Sequence, residues 1–159
     1  MLKKNLNFNL FFYLEYSVVY FLIAFTLKNL FLHYQNLGIF IQNNFFEIMI
    51  LKNTGAAFSI LKNGNSFLAI FAVLVFVLIL YHVINNYKNL RLIDVHALAF
   101  LSAGILSNTA ERIIDGFVTD YFKLTFINFP VFNVADIFIN IGVILLIFSL
   151  LFLEKKDIN

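Results

Sequence analysis

The chain has no cysteine, which excludes disulfides, thiolate nucleophiles and thiolate metal sites at once. Charge is scarce too: 13% of the 159 residues are charged, where a soluble domain carries about a quarter. The net charge of +2 is scattered, with no basic run of the kind nucleic acid requires, so no nucleic-acid partner is expected. The histidines, His33, His82 and His96, stand far apart and form no ligand motif such as HExxH; neither a metal nor another cofactor is expected. With one proline and six glycines, no low-complexity linker, internal repeat or second domain is visible, and residues 1–159 read as a single domain.

What fills the chain is apolar. It is 62% hydrophobic, with 22 phenylalanines, which puts it in the membrane class. A bilayer core about 30 Å thick needs roughly 20 helical residues, and four stretches come near that: 10–27, 67–84, 95–114 and 135–153. The second has no charge at all, whereas the first contains Glu15. Lys3, Lys4, Lys88, Arg91, Lys155 and Lys156 fall on one side of such a bundle, against Lys52, Lys62 and Lys123 on the other. By the positive-inside rule both termini are cytoplasmic. Lys28, at the outer end of span one, can snorkel. The first span is too long for a cleavable signal peptide and lacks a small-residue cleavage site, so it reads as a permanent anchor.

Between spans one and two, Phe46, Ile48 and Ile50 alternate with Glu47, Met49 and Leu51, while Asn53-Thr54-Gly55 and Asn63-Gly64 supply turn chemistry. A small antiparallel sheet is expected there, on the outer surface, giving a mainly α membrane protein of four transmembrane helices.

The polar residues are concentrated. On span three, Asn108, Glu111, Arg112 and Asp115 fall at i, i+3, i+4 and i+7, one helical face. On span four, Asn133, Asp136 and Asn140 do the same. Stripes of this kind face a bundle interior or a wet cavity, and both lie toward the outer end. The loop at 116–133 adds Asp120, so two carboxylates, Asp120 and Asp136, can meet at the outer boundary. Plainer readings stand beside this one. Asp136 can be an early-turn acid favoured by the helix dipole, Arg112 and Glu111 can form a structural ion pair, and Glu15 can serve packing or pairing.

No G-x-S-x-G elbow is present, and no local pattern suggests Ser–Lys catalysis, although it is not excluded. A carboxylate pair suits aspartyl proteolysis, in which one protonated acid polarises the scissile carbonyl and the other, ionised, takes a proton from water. Two close carboxylates cannot easily both ionise. The helix dipole favours the charge on Asp136 and disfavours it on Asp120, which makes Asp136 the resting base and Asp120 the resting acid.

Three stretches, NTGAAFS (53–59), SNTAERIIDGFVTDY (107–121) and FPVFNVADIFINIG (129–142), resemble the lipoprotein signal peptidases, also called signal peptidase II. The resemblance implies an aspartyl protease of the bacterial inner membrane, with four transmembrane helices and a small extracytoplasmic β-cradle, here about 39–61. It implies removal of the signal peptide from prolipoproteins, cut just before a cysteine carrying diacylglycerol. Membrane lipid and globomycin-type cyclic peptide inhibitors are then further partners. Carried onto this chain, the catalytic pair is Asp120 and Asp136, with Asn53, Gly55, Asn108, Arg112, Asn133 and Ala135 shaping the pocket. Three positions depart from the family pattern: Glu111 replaces an Asp, Ser107 replaces a Gly, and of the family's D-Q-x-x-K in span one only Lys28 is kept. A catalytically silent relative that binds acylated precursors is therefore a second reading, and a small proton or ion carrier a third.

Overall fold

A computed structural model describes residues 8–38, 41–55 and 64–153. Four helices and two strands follow in the order α1 (Phe8–Asn36), β1 (Phe46–Asn53), α2 (Asn65–Asn86), α3 (Leu92–Ile114), β2 (Val118–Leu124) and α4 (Val134–Phe152). All four helices are long and apolar enough to cross a membrane. This is a multi-pass membrane protein, mainly α, with a small two-stranded sheet.

The predicted spans each lie within a helix or overrun it by one residue, and α1 is the one that grows. It runs nine residues past the expected end at 27, because its last turns climb beside the sheet, where Phe31 packs on Tyr121 and Phe122 at ring distances of 4.9 and 5.4 Å.

The central helix is α3, which packs against each of the other three, whereas α2 and α4 make no substantial contact with each other. Its composition explains the position. Val95, Ala97, Leu98, Ala99, Ser102, Ala103 and Gly104 are buried, and small residues let membrane helices approach closely. The approach to α4 is closest at two glycines: a Cβ on Gly104 would stand 2.5 Å from the Ala135 carbonyl oxygen, and one on Gly142 would stand 2.8 Å from that of Ala97. Gly104→Ala is therefore expected to cost about 2 kcal/mol through overpacking, seen as a lower thermal unfolding midpoint in detergent. Towards α1, α3 offers polar and aromatic partners instead. Tyr13 Oη and Ser102 Oγ share a hydrogen bond of 2.7 Å, Tyr20 Oη and His96 Nδ1 one of 3.0 Å, and Tyr20 stacks on Phe100.

One end of the bundle gathers the start of α1, the α2–α3 connection and the end of α4. Asn9 Nδ2 donates to the carbonyls of Tyr87 and Leu90, and Arg91 donates to those of Ser149 and Leu153. Arg91 thereby covers last-turn carbonyls that α4 cannot satisfy itself. Lys3, Lys4, Lys62, Lys155 and Lys156, used above for orientation, lie outside the described residues.

The sheet sits at the opposite end, and its composition differs from the expectation. The strand predicted around 46–51 forms, and its pairing within 39–61 among the described residues is short: an antiparallel bridge joins Gln42 to Glu47, and the Ile48 N–H donates to the Ile41 carbonyl at 2.8 Å. Its longer pairing is with β2, antiparallel, with Leu51 opposite Asp120 and Asn53 opposite Val118. The segment 116–133 is thus partly a strand rather than a loop; Val118, Thr119, Tyr121 and Phe122 are β-formers that suit a half-buried strand. Residues 39–40 and 56–61 of the expected cradle, including most of NTGAAFS, lie outside the described residues. The turn from α3 into β2 is made at Gly116, whose φ of 79° is open to glycine at little cost.

Candidate active site

Two helix ends and two strands bring the polar residues together. Asn133 is the N-cap of α4: its Oδ1 accepts the Asp136 N–H at 2.9 Å, while Asp136 Oδ2 accepts the Asn133 N–H at 3.0 Å. This reciprocal capping box fixes Asp136 in the first turn. The cap reading and the site reading of Asp136 are therefore both true. From α3, Asn108 donates through Nδ2 to Asp136 Oδ1 at 2.8 Å.

Asp120 reaches the same place from β2. Asn53 stands opposite Val118, so Asp120, two residues on, is its diagonal neighbour on the same sheet face. Asn53 Nδ2 donates to Asp120 Oδ2 at 2.8 Å, and Asn133 Nδ2 donates to Asp120 Oδ1 at 2.9 Å and to Asn108 Oδ1 at 3.1 Å. Every oxygen of both carboxylates thus accepts a hydrogen bond, and Asn133 touches both acids and Asn108. Asn53 is itself oriented by the Gly55 N–H, which donates to its Oδ1 at 2.9 Å.

Burial governs the chemistry. Asp120 is 2% exposed. Desolvation, joined by the nearby charges of Asp136 and Glu111, pushes its carboxyl up to about 7, although the Asn53 and Asn133 bonds favour the ionised form. Next to it, burial lifts the Tyr121 phenol to about 12; Tyr121 stays neutral, and its oxygen accepts the Val134 N–H at 3.2 Å. Ala135 is buried and lends its carbonyl to the tight crossing at Gly104.

Arg112 and Glu111 do not form the expected ion pair. Adjacent helical residues point about 100° apart, and the two serve different neighbours. Arg112 donates to the Gly55 carbonyl at 3.2 Å and the Asn108 carbonyl at 3.4 Å, tying α3 to the end of β1. Glu111 accepts the Thr119 N–H at 2.8 Å through Oε2 and meets Lys28 Nζ at 3.6 Å through Oε1. Lys28 therefore does not snorkel; it is 13% exposed and faces α3. Glu111 anchors β2 one residue before Asp120.

Three marked residues stay outside this network. Asn140 donates to the Asp136 carbonyl from an exposed position, and Asp115 is exposed at the end of α3. Glu15 is exposed on α1, with no hydrogen bond or ion pair among the described residues. Conversely, Lys28, Thr119 and Tyr121 support the site without having been singled out for it. The retained lysine of the family motif and the tyrosine closing SNTAERIIDGFVTDY were the available signals.

Residues 16–152 match the family model for signal peptidase (SPase) II. A lipoprotein signal peptidase of Enterococcus faecalis is 40% identical over 149 residues, spanning 87% of this chain and 91% of that protein. One from Clostridioides difficile is 35% identical over 117 residues, 74% of this chain and 78% of the relative. A bacterial membrane enzyme structure solved by the in meso method at 2.3 Å shares the fold, with a TM-score of 0.76 and 26% identity over 92% of this chain and 94% of its own. The family match and these relatives cover most of the chain's length, and the chain belongs to the signal peptidase II family of membrane peptidases.

Proposed function

We propose that this protein is an aspartyl endopeptidase of the bacterial inner membrane that removes signal peptides from diacylglyceryl-modified prolipoproteins, cutting just before the lipidated cysteine. Both termini face the cytoplasm, and the sheet end of the bundle faces outward. Asp120 and Asp136 are the catalytic residues. The observation that carries this reading is the shared asparagine network, which bridges the two carboxylates at the sheet end, while burial raises the Asp120 carboxyl to about 7 and so favours its protonated form below that pH.

The chemistry follows from those two states. Protonated Asp120 donates to the scissile carbonyl oxygen, and ionised Asp136 takes a proton from a water as that water attacks the carbonyl carbon. Collapse of the tetrahedral intermediate breaks the C–N bond, and the proton held by Asp136 passes to the leaving amine of the cysteine. The location suits the substrate, since an acylated precursor arrives laterally from lipid and the water needed for hydrolysis is available at the interface. Asn53, Gly55, Asn108, Arg112, Asn133 and Ala135 align the acids and frame the pocket, with Glu111 holding β2 in place.

A silent binder drew its support from Glu111 and the reduced span-one motif. Glu111 is fully engaged with Thr119 and Lys28, so that departure leaves the dyad supported. Nothing in the geometry favours an ion carrier.

Purified protein in liposomes is expected to shorten a diacylglyceryl-modified precursor on a gel and to leave the unmodified precursor uncut. Failure of folded protein to cut the modified precursor would overturn the reading. Acidity provides a second check. Asp120 must be protonated, so kcat/KM is expected to fall tenfold per pH unit above about 7. The Asn53 bond favours the ionised form, so Asn53→Ala raises the Asp120 value further and moves that limb to higher pH. A limb that stays fixed or moves down contradicts the assignment of Asp120 as the acid.

A further inference from the structure

Between the sheet-end halves of α1 and α3 lies a groove of about 220 Å³. Asn9 meets Leu90 at one end of the bundle and Lys28 meets Glu111 toward the other, so α1 and α3 run in the same direction. The two walls of the groove therefore rise in step. Its inner part is apolar, walled by Leu22 and Phe25 of α1 and by Ala110 of α3. Its outer part holds Lys28, Glu111 and Asp115, the last about 6 Å further along α3. Leu22, Phe25 and Ile114 are each more than half exposed on helices long and apolar enough to cross a membrane, so the groove opens sideways toward lipid.

Lys28 gives the groove its chemistry. An ammonium carries three donors, and the Lys28 side chain is 13% exposed. Its contacts among the described residues are Glu111 Oε1 at 3.6 Å and the Phe25 ring at 5.7 Å. Neither is a hydrogen bond. Glu111 thus balances the charge while the N–H donors are left for an acceptor inside the groove. With the charge already balanced, a neutral oxygen such as an ester carbonyl suits Lys28 better than a second anion. Asp115 makes the opposite demand. It is exposed at the end of α3 and forms no ion pair among the described residues. The last carbonyls of the helix add negative potential there, so the mouth of the groove favours a cation.

We propose that this groove is a site for one bilayer phospholipid with an ammonium headgroup: an acyl chain lies against Leu22, Phe25 and Ala110, a glyceryl ester carbonyl accepts from Lys28, and the ammonium pairs with Asp115. The order of such an amphiphile, chain then ester then cation, is the order of the groove from its inner to its outer end. Size and position both argue against the precursor as occupant. The volume is below the roughly 300–1,000 Å³ of pockets that enclose a drug-sized ligand, too little for a signal-peptide helix. Ser107 lines the groove while the next residue, Asn108, bonds Asp136. Successive helical residues point about 100° apart, so groove and dyad lie on different flanks of α3. The site still has a route to the chemistry. Lys28 meets Glu111, and Glu111 holds the Thr119 N–H beside Asp120, so a lipid that fixes Lys28 steadies β2. The inference concerns a second ligand and does not depend on precursor cleavage.

The test is native mass spectrometry of the full chain, stripped of lipid in detergent and titrated with phosphatidylethanolamine or phosphatidylglycerol of matched chains. Native protein is expected to hold one phospholipid and to favour the ethanolamine form about threefold, the scale of one exposed ion pair. Asp115→Asn keeps the adduct and erases that preference. Ala110→Phe, which fills the groove, loses the adduct with both lipids; Leu22→Trp does the same from α1 should the first variant not fold. The proposal is overturned by the lack of a one-to-one adduct on native protein, or by an adduct that survives both groove-filling variants. It is also overturned by a preference for the glycerol headgroup, or by a preference unchanged in Asp115→Asn. Displacement of the bound phospholipid by an equal concentration of a diacylglyceryl-modified peptide would make the groove a precursor subsite, and that result overturns it as well.

Discussion

Asp120→Asn and Asp136→Asn are each expected to lower precursor cleavage by about 10³–10⁴-fold while leaving inhibitor or precursor binding largely in place. The exchange is nearly isosteric, and the carbonyl oxygen that remains still accepts from one of the two donors on each acid, Asn53 or Asn133 for Asp120 and Asn108 or the Asn133 N–H for Asp136, while the new NH2 faces the other. The two variants fail for different reasons. In the proposed mechanism no base takes the proton from water without Asp136, and no acid polarises the carbonyl without Asp120. Because both acts belong to one step, the double variant should be little worse than either single one. The check is initial rates on a modified precursor beside a binding measurement with a globomycin-type inhibitor. Loss of binding equal to the loss of rate would mean that the carboxylates hold the pocket together rather than carry the reaction.

The second large effect is at Asn133, where one side chain serves structure and chemistry together. It caps α4, and its amide bridges Asp120 to Asn108. Asn133→Ala should remove about 1 kcal/mol of helix capping and lower kcat by about 10²-fold, in the range seen when a positioned donor is removed from an active site. Asn133→Ser separates the two roles. Serine caps nearly as well as asparagine but has no second donor for Asp120, so thermal stability should return while the rate stays low. Recovery of the rate together with stability would assign Asn133 to capping alone.

What could be read from the sequence follows the range of the interactions involved. The four spans were legible because hydropathy is a local property, and Asp120, Asp136, Asn108 and Asn133 because helical periodicity put each on a polar face or beside one. The strand at 118–124 was not, because it forms by pairing with a segment some 70 residues earlier: Leu51 opposite Asp120 is a pairing that no local pattern encodes. Glu111 and Arg112 illustrate a second limit. They are adjacent in sequence and opposite in charge, yet neighbours on a helix do not face each other, and each found a partner on another element. The extra turns of α1 beyond 27 needed the aromatic packing of Phe31 on β2 to account for them. Asn65 looks like an ordinary helix-start residue until its amide is seen crossing to α3.

The central claim is that two carboxylates activate water for direct attack on the precursor. It is tested most directly by a single turnover in water enriched in oxygen-18, with the products analysed by mass spectrometry. The account predicts one labelled oxygen in the new carboxyl group of the released signal peptide, a free amine on the lipidated cysteine, and no label in Asp120 or Asp136. Label in either aspartate would reveal a covalent acyl-aspartyl intermediate and contradict the account.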